Sequence, residues 1–170
     1  VESLRRYSSE QAESRERIDL IGLIQTSIRW VIKGQSAKPE THFAMPETLE
    51  IEAHSGGIQQ VVMNIVQNAL DAQSERATPR LDVTVTREGE MAVIAFRDHG
   101  PGIADKDMRK LFDPFFTTKP VGRGTGLGLS ISFEIVRGHG GSLEAANHPE
   151  GGAVFTLRLP VEGGGKNERG

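Results

Sequence analysis

The sequence predicts an α+β fold, and two observations carry that expectation. Apolar residues in one stretch, 57–73, recur every three or four positions, the period of a helix buried along one face, and a second such stretch covers 20–33. Two other regions, 81–97 and 142–159, each consist of two strand-like runs joined by a short polar turn. The chain has 170 residues, which fits one domain able to bury a real core.

Composition removes several function classes. Twenty Lys and Arg face 23 Asp and Glu, for a formal charge of -3, so no basic field points to nucleic acid. There are no cysteines, which excludes a disulfide scaffold, a thiolate metal site and a Cys nucleophile. No apolar run approaches the ~20 residues of a membrane span, and no signal peptide is recognisable. The chain opens at Val1 in what reads as mid-helix, so a fragment of a longer protein is expected.

Residues 2–17 are polar, with Leu4 and Tyr7 as the only large apolar side chains, and read as the end of an upstream helix. Asp19 is a candidate cap for the helix over 20–33, whose apolar face is Ile21, Ile24, Ile28, Val31 and Ile32. Trp30 is expected to pack, in the core or on the surface, rather than to do chemistry. Residues 42–45 and 48–53 read as strands. Ser55 is a candidate cap for the next helix, 57–73, with Ile58, Val61, Val62, Ile65, Val66, Ala69 and Leu70 on one face. Asn64 and Asn68 fall one turn apart on the border of that face, with Gln60 and Asp71 just beyond.

Strands are predicted over 81–87 and 91–97, joined by Glu88-Gly89-Glu90. The second is apolar on both faces, is expected to be central, and ends at Asp98 before Gly100-Pro101-Gly102. A short helix is expected over 104–111. Phe112, Phe115 and Phe116 then crowd around Asp113 and Pro114, as a small core under a loop or as the anchor of a lid. The lid is the polar, Gly-rich run 117–125, and a helix follows from Leu127. Residues 142–147 and 153–159 close the chain as a hairpin, and 162–170 read as a disordered tail.

These pieces suggest a polyphosphate nucleotide site. A carboxylate such as Asp98 can accept a hydrogen bond from an exocyclic amine and so discriminate between bases. Backbone N–H groups at Gly122, Gly124, Gly126 and Gly128, together with Lys119, can take phosphates. Magnesium prefers oxygen donors, which Asn64 and Asn68 supply. The Walker pattern and the kinase Gly-loop set do not occur.

Asn64-x-x-x-Asn68, Asp98-His-Gly-Pro-Gly102, Phe112-Asp-Pro-Phe-Phe116 and Gly124-Thr-Gly-Leu-Gly128 resemble, in order and spacing, the asparagine, first glycine, phenylalanine and second glycine boxes of the ATP-binding domain of sensor histidine kinases. That domain belongs to a superfamily with gyrase, Hsp90 and MutL. The likeness covers about 18–161. The run from Phe115 to Ser130, with Ala146 to Thr156, resembles the nitrogen-regulatory and C4-dicarboxylate-sensing subgroup. By the same likeness, 1–17 would end a dimerisation helix.

The resemblance implies a two-layer sandwich of the Bergerat type, with a mixed, mostly antiparallel sheet packed on three helices. Asp98 would bind the adenine amine, and Gly100 and Gly102 would shape the cleft. Asn68 would ligate magnesium with Asn64 beside it; these two and Lys119 form the expected catalytic set. Gly124, Gly126 and Gly128 would cradle phosphates, Lys119 would reach the terminal one, and Arg123 would assist. Asp71, Ile103, Phe116, Thr117, Thr118, Thr125, Leu127 and Leu129 complete the expected nucleotide contacts, with Thr156 near the adenine through a water. Asp71 departs from the family, which often carries a basic residue there.

The implied function is transfer of the γ-phosphoryl group of ATP to a histidine on a separate helical domain of the same protein. None of the five histidines here stands in the acceptor context. A response regulator would be reached through that helical domain. The full-length protein would be a homodimer, in the cytoplasm or anchored in the inner membrane with its catalytic part in the cytoplasm, and this fragment would be monomeric. The alternatives are an ATPase of the gyrase and Hsp90 type, a non-catalytic nucleotide module, and a serine kinase of the anti-sigma type.

Overall fold

The computed structural model describes residues 15–122 and 124–163. The elements run β1 (Glu16–Asp19), α1 (Leu20–Lys33), β2 (Glu40–Ala44), β3 (Glu50–Ala53), α2 (Ser55–Asp71), β4 (Arg80–Glu88) and β5 (Met91–Asp98). A helical turn α3 (Asp105–Met108), helix α4 (Gly128–Gly138) and strands β6 (Ser142–Asn147) and β7 (Ala153–Pro160) follow. Five strands form one sheet in the order β2-β4-β5-β7-β6, and β1 pairs with β3 in a separate ribbon. In the large sheet β2 is parallel to β4 and the other pairs are antiparallel. The sheet is thus mixed and mostly antiparallel, as expected, and α1, α2 and α4 form the helix layer.

Helix α2 lies between α1 and α4 and packs on β4 and β5. Its predicted apolar face is the centre of the core: Ile58, Val61, Val62, Ile65 and Val66 are wholly buried. The sheet answers with the alternating set Leu81, Val83, Val85, then Ala92, Ile94, Phe96, then Phe155, Leu157, Leu159. Apart from Ala92, each such side chain contributes about 1.5–3 kcal/mol relative to exposure, so α2 is a fixed platform for what its border carries. Strand β5 is central, but only one of its faces is buried; Met91, Val93 and Ala95 on the other are half-buried. Its apolar composition reflects position in the sheet rather than cover on both sides.

The structure corrects other expectations. Glu16 and Arg17 are strand, not the end of a helix. Arg17 lies opposite Glu52, and Ile18 opposite Ile51, and the two isoleucines are both buried, so one apolar cross-strand pair seats the ribbon on the core. The rest of the expected upstream helix lies outside the described residues. Asp19 holds the N-cap position of α1 without a side-chain bond. His54, not Ser55, caps α2: its Nδ1 accepts the N–H of Gly57 at 2.9 Å. Glu162 and Gly163 are held rather than loose, by Arg17 and by a 3.0 Å bond from Gly163 N–H to Glu52 Oε2. Residues 164–170 lie outside the described residues. Trp30 is more than half exposed. No helix among the described residues is long and apolar enough to cross a membrane.

Candidate functional site

A cavity of about 1060 Å³ opens between the border of α2, the end of β5 and the segment from Leu111 to Leu129. Its size suits a nucleotide.

Asp98 forms one end. It is 3% exposed, on the core face at the carboxyl end of β5. Oδ1 accepts two backbone N–H groups, from Gly100 at 2.9 Å and from Ala153 at 3.2 Å. Burial pushes its pKa above the ordinary aspartate value, and the two backbone donors work against that shift. Both bonds fall on Oδ1, which leaves Oδ2 for a donor in the cavity.

Neighbouring contacts fix the loop after Asp98. His99 Nε2 lies 2.8 Å from Asp82 Oδ2, and Arg76 Nη1 donates to the His99 carbonyl at 3.0 Å. Asn147 clamps Ile103 from both sides: Oδ1 accepts its N–H at 2.7 Å and Nδ2 donates to its carbonyl at 2.8 Å. Gly152 completes the arrangement with φ +83°, against the Asp98 carbonyl, where a Cβ would collide. Its missing side chain lets β7 start close enough for Ala153 to reach Asp98.

The other end belongs to α2 and the lid. Asn64 Nδ2 donates to the Gly128 carbonyl and to Ser132 Oγ, each at 3.2 Å, and so braces α2 against the first turn of α4. Lys119 Nζ lies 2.6 Å from Asp71 Oδ2 and 3.2 Å from Asn68 Oδ1. Gln67 Nε2 donates to the other oxygen of Asp71 at 2.9 Å, and Gln35 Nε2 donates to Gln67 Oε1 at 3.3 Å.

The three phenylalanines divide their work. Phe112 stacks on Phe133 of α4 with centroids 5.1 Å apart and anchors the segment. Phe116 faces the cavity. Phe115 is 74% exposed at φ +66°, its N–H donating to the Gly126 carbonyl at 2.8 Å. Gly126 is itself at φ +68° with its Cα against the Phe115 backbone, so packing within the lid already requires that glycine.

Most of the expected residues converge on the cavity. Asn64, Asn68, Asp71, Asp98, Gly102 and Ile103 line one part of it. Phe116, Thr117, Thr118, Lys119, Gly124, Thr125, Gly126, Gly128 and Leu129 line the rest. Gly100 and Leu127 are not in its wall; Gly100 acts on Asp98 instead, and Leu127 caps α4. Thr156 is not in the wall: it is half-buried on the face of β7 opposite Phe155, because side chains alternate along a strand. The β7 residues in the wall are Ala153 and Phe155. Arg123 lies outside the described residues. Sequence reasoning missed Gln67, which its place beside Asn68 on α2 could have shown, and Asp107 and Asn147, the last set by a contact 44 positions away. Among the described residues no cluster of three His, Cys, Asp or Glu could hold a metal.

The model of the histidine kinase-, DNA gyrase B- and HSP90-like ATPase family matches residues 53–163. The chain is 34% identical over 162 residues to the C4-dicarboxylate transport sensor protein DctB of Pseudomonas aeruginosa, covering 94% of this chain and 26% of that one. It is 35% identical to the sensor histidine kinase ZraS of Escherichia coli, covering 86% of this chain and 31% of that one. It therefore spans about a quarter to a third of these curated relatives. Among solved structures, the mycobacterial sensor histidine kinase MprB superposes with a TM-score of 0.77 at 25% identity, over 88% of this chain and 99% of that one. The catalytic domain of histidine kinase ThkA, in a nucleotide-free form, gives 0.74 at 30% identity over 88% and 97%.

Proposed function

The chain belongs to the family of histidine kinase-, DNA gyrase B- and HSP90-like ATPases, and we propose that it is the ATP-binding catalytic domain of a two-component sensor kinase, transferring the γ-phosphoryl group to a histidine on a separate helical domain. The observation that carries this reading is the convergence on one cavity of the buried Asp98, the Asn64–Asn68 border of α2, and a Gly-rich lid bearing Lys119.

Asp98 Oδ2 accepts the adenine amine. Gly100 and Ala153 hold the carboxylate in register, and Ile103 and Gly102 line the base end. The phosphates run toward the lid and the start of α4, where free N–H groups favour anions. Lys119 reaches the terminal phosphate, with Arg123 in support.

A magnesium ion fits the donor set: the Lys119 ammonium between Asn68 Oδ1 and Asp71 Oδ2 marks a cation position built from oxygens. When bound, magnesium neutralises phosphate charge and orients the leaving group. Asn68 would hold it, and Asn64 Nδ2 holds the Gly128 carbonyl, and so the start of α4, against α2. An amide at Asn64 cannot serve as a general base for water, which favours transfer to an acceptor over hydrolysis.

By this reading the partners are the helical histidine-bearing domain and, through it, a response regulator, with catalysis on the cytoplasmic side. Equilibrium binding of an ATP analogue tests the site. Asn68→Ala weakens binding in magnesium at least about tenfold and has little effect in chelator. Equal affinity of the variant and wild type in magnesium would sink the metal role of Asn68.

A further inference from the structure

The Lys119 ammonium sits where two oxygens of successive turns of α2 converge, Asn68 Oδ1 and Asp71 Oδ2. Asp71 is held for this contact. Gln67 Nε2 ties down its Oδ1, and Gln35 steadies Gln67 from the end of α1. Lys119 and Asp71 are each about one-third exposed and line the cavity, so the pair stands inside the site rather than on the outer surface.

This arrangement creates an electrostatic problem once a polyphosphate enters. A carboxylate in the wall repels the incoming charge unless a cation faces it. A Lys119 ammonium drawn to a terminal phosphate loosens its contact with Asp71, and a second cation can then take its place there.

We propose that Asp71 is an additional oxygen donor of the divalent-cation site, directly or through a bound water, and that Lys119 holds the position only until the metal–nucleotide complex arrives. The inference rests on the nucleotide-site reading above. Asp71 then couples two events: it accepts the divalent ion and releases Lys119 to the phosphates. Nucleotide without metal meets a carboxylate still in need of its lysine, so Asp71 selects for the metal complex over the bare nucleotide.

The test compares dissociation constants for ADP and a non-hydrolysable ATP analogue in magnesium and in chelator. Asp71→Asn keeps the shape and removes the charge. In wild type the ratio of the two constants is large. In Asp71→Asn metal-free binding tightens and the ratio falls about tenfold, as expected for loss of one close charge pair. A second measurement uses Mn2+ alone, followed by electron paramagnetic resonance. Lys119→Ala binds it more tightly than wild type, and the double variant Asp71→Asn/Lys119→Ala loses that gain.

An unchanged ratio in Asp71→Asn, with nucleotide binding intact, overturns this inference alone. Equal Mn2+ binding by Lys119→Ala and the double variant also overturns it. A wild-type chain that binds no adenine nucleotide in either condition overturns the nucleotide-site reading itself.

Discussion

Ala153 donates its backbone N–H to Asp98 Oδ1 at 3.2 Å, across 55 positions of sequence. The first residue of β7 thereby fixes the carboxylate at the last residue of β5. Together with Gly100, it makes Asp98 a buried acceptor with one oxygen committed to the fold and one turned to the cavity.

Asp98→Asn tests that division of labour. The amide oxygen can keep both backbone bonds, and the amide N–H2 then faces the cavity as a donor. Two donors would meet at an adenine amine. Adenine-nucleotide affinity falls about 100-fold or more, and bases with a carbonyl at that position lose their disadvantage. Competition binding with adenine and hypoxanthine nucleotides reads both effects. Retention of adenine preference would contradict the role given to Oδ2.

Gly151 and Gly152 share left-handed backbone but differ in surroundings. Nothing lies within 4 Å of a Cβ on Gly151, whereas one on Gly152 would enter the Asp98 carbonyl. Gly151→Ala costs about 1 kcal/mol of stability from backbone strain alone, and Gly152→Ala costs about 2–3 kcal/mol because overpacking adds to it. Chemical denaturation measures the difference. Equal losses would mean that the close approach of β7 to β5 is not what requires glycine.

His139 makes stability depend on pH. It is 5% exposed, places Nδ1 2.7 Å from the Ile135 carbonyl, and accepts the His54 N–H at Nε2, 3.0 Å away. Burial lowers its pKa from 6.5; the Ile135 bond opposes the shift, while nearby Arg15 and His54 add to it. The unfolded imidazole therefore takes up a proton before the folded one does. This contribution is complete above about pH 6.5 and is lost as pH falls toward the lower folded value, at no more than about 1.4 kcal/mol per pH unit. Comparing wild type with His139→Gln between pH 7.5 and 5.5 isolates it: the variant loses less stability on acidification. Parallel losses would contradict the assignment.

The sequence made visible what local periodicity and turn chemistry control. The spacing from Ile58 to Leu70 located α2, its buried face and the polar border bearing Asn64 and Asn68. Asp98 before glycines marked the end of β5 and a carboxylate in the cavity wall. What was hidden depends on pairing between distant segments. Strand β1 is four residues long and shows no period of its own. Asn147 reaches Ile103 across 44 positions, and Gly152 is required by Asp98, neither of which a local pattern records. Thr156, expected from the resemblance, stands on the face of β7 away from the cavity wall, since its neighbour Phe155 belongs to the core face. Lys119 and Arg123 were both expected at the phosphates, but the holding of Lys119 by Asp71 needed coordinates.

One labelling experiment separates phosphoryl transfer from hydrolysis at this site. The chain is mixed with magnesium and γ-labelled ATP, with and without the histidine-bearing helical domain of a related sensor kinase. Label is followed as acid-labile, alkali-stable protein phosphate and as free phosphate. Label is expected on the helical domain, with only slow phosphate release by the chain alone. Steady phosphate release by the chain alone, with no label on the helical domain, would contradict it.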